Sequence, residues 1–89
     1  LVRVRGESMR DVGIFDGDVV LVDRAITPRS GHVVVAIVEN EFVCKTLQMR
    51  AGRIKLKAAN PTYPDIVPKD SQTVEIWGVV VATIKQFPT

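Results

Sequence analysis

Valine and isoleucine account for 23 of the 89 residues, sixteen and seven respectively, against only four leucines. Branching at Cβ stiffens these side chains in a helix and suits them to the pleated face of a sheet. A helical bundle is thereby all but excluded. Hydrophobic residues reach 46%, enough to build a core, and 89 residues suffice for one small domain. The chain is expected to fold as a β-rich unit and not to stay a disordered tail.

Alternation and turn residues divide the chain into strands. Val2-Arg3-Val4-Arg5 alternates apolar and charged residues, as a half-buried strand does. Ser8 is placed to cap one short helical turn, and Asp16-Gly17-Asp18 turns the chain into the strand Val19–Val22. Thr27-Pro28-Arg29-Ser30-Gly31 is a second turn. Val33–Val38 and Glu41–Leu47 flank Glu39-Asn40 as a hairpin. Ala51-Gly52 turns again into Arg53-Ile54-Lys55-Leu56-Lys57, and Asn60-Pro61-Thr62-Tyr63-Pro64 is loop. A long final strand, Thr73–Ile84, contains Gly78, which predicts a bulge or bend there. The expected fold is mainly β: a single small domain over residues 1–89, with antiparallel strands bent into a partial barrel.

Several functional classes fall away on counts. Lys and Arg number 12 against 10 Asp and Glu, so the surface is too balanced to argue for direct nucleic-acid binding. One cysteine, Cys44, permits no internal disulfide and reads as an inert small hydrophobe. The longest apolar run, Val33–Val38, is six residues, far short of the roughly 20 that span a bilayer. A cytoplasmic protein without a membrane segment is the simplest expectation. Because the chain opens on Leu1 and moves at once into a strand, it is read as a fragment of a longer protein. One His and one Cys make no zinc site, and Asp16-Gly17-Asp18 lacks calcium-loop spacing, so neither metal nor cofactor is expected. Arg50, Arg53, Lys55 and Lys57 alternate with Ile54 and Leu56 like the solvated face of a hairpin.

Three residues carry candidate chemistry. Ser8 follows Gly6-Glu7 between a strand and a turn, where unsatisfied N–H groups could stabilise an oxyanion beside its hydroxyl. The plainer reading is a turn cap. His32 is the one histidine and would complete a Ser–His–Asp triad, although its place at a strand mouth suits an ordinary surface histidine. Lys45 lies in the strand Phe42–Leu47, and period-2 geometry sets Val43, Lys45 and Leu47 on one face. If that face points inward, burial lowers the pKa of the amine and makes it a base. Otherwise the side chain snorkels to solvent.

The run Gly6-Glu7-Ser8-Met9-Arg10-Asp11, then Gly13-Ile14 and Asp16-Gly17-Asp18, then a lysine 37 residues after the serine, resembles the catalytic domain of the LexA/UmuD self-cleaving proteins. The likeness continues through Gly31–Ala36, Glu41–Lys45 and Gly78-Val79-Val80, essentially the whole chain. Val22–Thr27, Leu47–Arg50 and Val74–Gly78 look more like UmuD and plasmid relatives such as MucA than like LexA. The resemblance implies a Ser–Lys dyad, with Ser8 as nucleophile and Lys45 as general base. It also implies an oxyanion hole built from the backbone N–H groups of Glu7 and Ser8. In such proteins a threonine usually stands two residues before the lysine; Val43 stands there in this chain.

The resemblance further implies an SOS-response protein that cuts its own N-terminal arm, stimulated by a RecA filament on single-stranded DNA. The processed form of a UmuD-like protein is a homodimer and an accessory subunit of a UmuC-like error-prone polymerase in translesion synthesis. The alternative is the cleavage and dimerisation domain of a LexA-type or phage-type repressor. Under either reading this domain makes no sequence-specific DNA contact of its own.

Overall fold

The computed structural model describes residues 1–69 and 72–87. Strands β1 (Val2–Arg3), β2 (Val19–Asp23), β3 (Val33–Val38), β4 (Glu41–Arg50), β5 (Arg53–Lys57) and β6 (Val74–Ile84) form one antiparallel sheet. Their spatial order is β1-β2-β6-β3-β4-β5, so the sheet stays open, with β1 and β5 at its edges. A single 3₁₀ turn, Arg10–Val12, is the only helical element among the described residues. The mainly β expectation holds.

Both short hairpins turn where the sequence places them. Glu39 and Asn40 have φ of 49° and 69°, Ala51 and Gly52 φ of 50° and 78°. Two consecutive residues at positive φ match the right-handed twist of the strands they join. Between these turns β4 pairs with β3 from Glu41 to Thr46, and with β5 only from Thr46 to Arg50. The outer edge of β4 is therefore not covered by β5 from Glu41 to Lys45. That gap is where the candidate site forms.

The sheet is buried on both faces. Val4, Met9, Ile14, Val20 and Val35 make one cluster; Val34, Ala36, Leu47, Leu56 and Val79 make the other. Continuous valine runs explain this, since adjacent residues of one strand serve opposite faces. Strand β6 bends through two bulges: Trp77 is the extra residue against β3, and Val81 the extra residue against β2. Trp77 is fixed by the Arg24 guanidinium, 4.4 Å from the ring centre, and by the Arg24 Nε–H bond to its carbonyl at 2.9 Å.

Gly78, beside the first bulge, has no room for a side chain. A Cβ there would overlap Val22 Cγ1 and lie 3.4 Å from the Asp23 carbonyl oxygen. Valine is stiff about χ1 and does not yield easily. Gly78→Ala is expected to destabilise the domain by about 1–3 kcal/mol, lowering Tm by roughly 5–20 °C, with partial rescue by Val22→Ala. An unchanged melting temperature for Gly78→Ala would contradict the close approach.

Candidate active site

The segment after β1 leaves the sheet through Gly6, whose φ of +80° is costly for any residue with a Cβ. Asp16 Oδ1 then accepts the Gly6 N–H at 2.7 Å, and the Val4 carbonyl accepts the Gly17 N–H at 2.8 Å. From the other side, Ser8 O accepts the Ala59 N–H at 2.6 Å, and Glu7 O accepts from Asn60 Nδ2 at 2.8 Å. Held from both sides, Ser8 faces the uncovered edge of β4.

Ser8 Oγ lies 2.8 Å from Lys45 Nζ, which donates to it. No other hydrogen-bond partner of that amine is found among the described residues. Lys45 is only 9% exposed, on the same face as Leu47 and opposite fully buried Val34 in the β3–β4 register. Burial therefore pushes the amine below its ordinary pKa, opposed in part by Cys44 and by the Asp65 carboxylate. Val43, half-buried two residues earlier, offers no hydroxyl. Lys45 does not snorkel to solvent.

The other expected participants are placed as follows. Ser8 does not cap the 3₁₀ turn: Met9 occupies the capping position and no side chain bonds there, because the serine hydroxyl is turned to Lys45. The Ser8 N–H has no hydrogen-bond partner among the described residues. The Glu7 N–H points to Tyr63 Oη at 3.4 Å, a long bond that leaves the donor weakly engaged. His32 takes no part; its Nδ1 accepts the Arg29 N–H at 3.0 Å and closes the turn before β3. Cys44 packs on the opposite face of β4, and burial pushes its thiol up to about 11, which makes it a poor nucleophile at neutral pH. Of the basic hairpin residues, Lys55 pairs with Asp65 at 3.5 Å across an exposed surface.

A groove of about 370 Å³ opens beside the pair. Val2, Val4, Val20, Val35 and Phe42 give it apolar walls, and Arg3, Arg5, Ser8 and Lys45 add polar groups to its lining. Sequence reasoning overlooked Asn60 and Tyr63, which it assigned simply to a loop. Asn60 is 4% exposed, and a buried asparagine must spend its amide on partners. Burial is invisible in a loop sequence.

A hydroxyl set against a desolvated amine, on an antiparallel sheet and beside an apolar groove, has the parts of a Ser–Lys acyl-transfer centre. A family model described as Peptidase S24-like matches residues 1–81, and the chain belongs to that family of self-cleaving serine peptidases. It is 41% identical over 88 residues to the LexA repressor of Bordetella pertussis, covering 99% of this chain and 41% of that protein. Against the LexA repressor of Azoarcus sp. it is 42% identical over 86 residues, covering 96% of this chain and 43% of the relative. Protein MucA of Salmonella typhimurium is 43% identical over 88 residues, covering 98% of this chain and 60% of MucA. The chain thus spans about two fifths of the LexA relatives and three fifths of MucA. No helix among the described residues is long and apolar enough to cross a membrane, and no cluster of metal-ligating side chains occurs among them.

The lowered pKa of Lys45 has a thermodynamic consequence. Between the folded pKa and the ordinary value of 10.5, the unfolded chain binds a proton that the folded chain does not. The contribution of this group to stability therefore rises with pH through that window and is lost as pH falls through the folded pKa. Lys45→Met is expected to melt higher than the parent chain at pH 7, with the gap narrowing toward pH 10.5. A lower melting temperature for Lys45→Met at pH 7 would show that the amine is not desolvated.

Proposed function

We propose that this domain is the self-cleaving Ser–Lys peptidase of an SOS-response protein, with Ser8 as nucleophile and Lys45 as general base. The observation that carries the reading is the 2.8 Å contact between Ser8 Oγ and the buried Lys45 amine. In the reaction the neutral amine takes the Ser8 proton as Oγ bonds to the scissile carbonyl carbon. The Ser8 N–H, with Glu7 N–H beside it, receives the developing oxyanion. Collapse returns the proton from the Lys45 ammonium to the leaving amine, and an acyl-enzyme remains on Ser8. Water, deprotonated by Lys45, then releases the acyl group.

The substrate in this reading is a segment of the same protein on the N-terminal side of Leu1, laid extended in the apolar groove. The parent is read as UmuD-like, with a RecA filament on single-stranded DNA as stimulator and a UmuC-like error-prone polymerase as partner of the processed form. The 43% identity to MucA over nearly the whole chain supports that branch. The matches to LexA repressors at 41–42% identity equally support a repressor parent, in which a DNA-binding domain would precede Leu1. A homodimer fits both readings, and exposed Leu21, Val81 and Ile84 on neighbouring strands β2 and β6 support self-association.

In the full-length protein, cleavage is expected to accelerate as pH rises toward the pKa of Lys45, because the neutral amine is the active form. Ser8→Ala and Lys45→Ala should each slow it by about 10⁴-fold or more, as removal of a nucleophile or its base does in serine peptidases. Gel analysis of the two variants over several hours at pH 7 to 10 checks this. Cleavage persisting in either one would contradict the dyad.

A further inference from the structure

Besides Lys45, Asn60 is the one buried polar side chain among the described residues, 4% exposed, and it lies 52 positions from the candidate nucleophile. Both polar atoms of its amide are engaged. Oδ1 accepts both the Thr62 N–H at 3.1 Å and the Thr62 hydroxyl at 2.8 Å. Those two donors fix the amide orientation, so that Nδ2 faces outward and donates to the Glu7 carbonyl at 2.8 Å. The loop bearing Asn60 is itself braced, by the Leu56–Ile66 bridge at its base and by the Asp65 carboxylate accepting the Ala58 N–H at 2.9 Å.

The Glu7 carbonyl and the Ser8 N–H belong to one peptide unit. That unit is planar and, in the absence of any cis bond, holds its C=O and N–H pointing opposite ways. A hydrogen bond that anchors the oxygen therefore aims the N–H. Glu7 O is tied to Asn60 Nδ2 at 2.8 Å and, more loosely, to the Arg10 N–H at 3.2 Å, and the Ser8 N–H is turned away from the Asn60 loop, where no described residue accepts it. The next unit is anchored likewise, through the Ala59 N–H on Ser8 O at 2.6 Å.

We propose that Asn60 is a positioning residue of the Ser8 site: through the Glu7 carbonyl it locks the Glu7–Ser8 peptide plane, so that the Ser8 N–H is preorganised to receive an oxyanion. This rests on the Ser–Lys reading above. It adds a residue that touches neither substrate nor Lys45. A donor already aimed costs no reorientation when charge develops, which is why such groups strengthen catalysis. Thr62 acts one step further out, by holding the Asn60 amide in the orientation that donates.

Phosphonylation of Ser8 by a fluorophosphonate probe, followed by intact mass across pH 7 to 11, tests this on the chain itself. The phosphonyl oxygen takes the place of the oxyanion, and the pH midpoint reports Lys45. Asn60→Asp keeps the shape but loses the donor, and is expected to lower the plateau rate roughly tenfold or more with the midpoint unchanged. Thr62→Val, a milder change, should lower the plateau by less, about two- to fivefold. Asn60→Ala, with its fraction folded measured in parallel, separates lost positioning from lost stability: the rate per folded molecule must also fall. Parent-like plateau rates in folded Asn60→Asp and Asn60→Ala would overturn the proposal, as would a loss that comes wholly from a shifted midpoint. If Ser8 in the parent chain takes no label above that seen in Ser8→Ala, the Ser–Lys reading itself fails and this role falls with it.

Discussion

An ammonium ion does not sit comfortably in a wall of valine, and that conflict organises this domain. Lys45 stands on the uncovered stretch of β4 between half-buried Val43 and buried Leu47, with Val34 opposite, and its amine finds one polar partner, Ser8 Oγ. Desolvation favours the neutral amine, and the neutral amine is a base within reach of a hydroxyl. In the proposed reading, the burial that would be a defect in a merely structural lysine is what gives this one chemistry. The valine surplus thus does two things at once: it builds a sheet buried on both faces, and it supplies the dry surroundings of the Lys45 amine.

Geometry brings the partner to that wall. Pairing of β5 with β4 starts only at Thr46, so one strand edge is left without its neighbour at the position of Lys45. The chain leaving β5 supplies Ala59 and Asn60, the turn before β2 supplies Asp16, and together they grip the Gly6-Glu7-Ser8 segment by its backbone. Backbone clamping suits a site that must hold a hydroxyl and an N–H in fixed relation, since it leaves the serine side chain free to react. Lys85 pairs with Asp18 and lies over the Phe15 ring, which ties the end of β6 to that same turn. The Lys85 ammonium and the Phe15 N–H hold the Asp18 carboxyl below its usual range, so the carboxylate stays charged into acid.

Much of this was legible in the residues. Alternation and turn chemistry placed all six strands, both two-residue hairpins and the bend near Gly78, because those features are local and follow from Cβ branching and positive φ. The extra residue of the bulge proved to be Trp77, fixed by Arg24 some fifty positions away, and no local pattern carries that. The face of β4 followed from period two, but whether it pointed inward did not, since Phe42, Cys44 and Thr46 on the other face are also largely apolar. Ser8 read most simply as a turn cap because capping is what a serine before a short helical turn usually does. What overrode it was a lysine 37 residues away, brought near by the β3–β4–β5 arrangement. Asn60 was the least visible of all: its partners lie across the fold, and a polar residue before a proline looks like any loop.

The protonation state of the Lys45 amine is the point on which the chemistry turns, and it can be observed directly. Titration of the lysine side chains by NMR, with Lys45 assigned by its absence in Lys45→Met, gives its midpoint in the folded domain. A midpoint clearly below the ordinary lysine value of 10.5 is the expected result. A midpoint at or above that value would mean that the amine is charged where a base is needed, and the Ser8–Lys45 contact would then be an ordinary hydrogen bond from an ammonium ion to a hydroxyl.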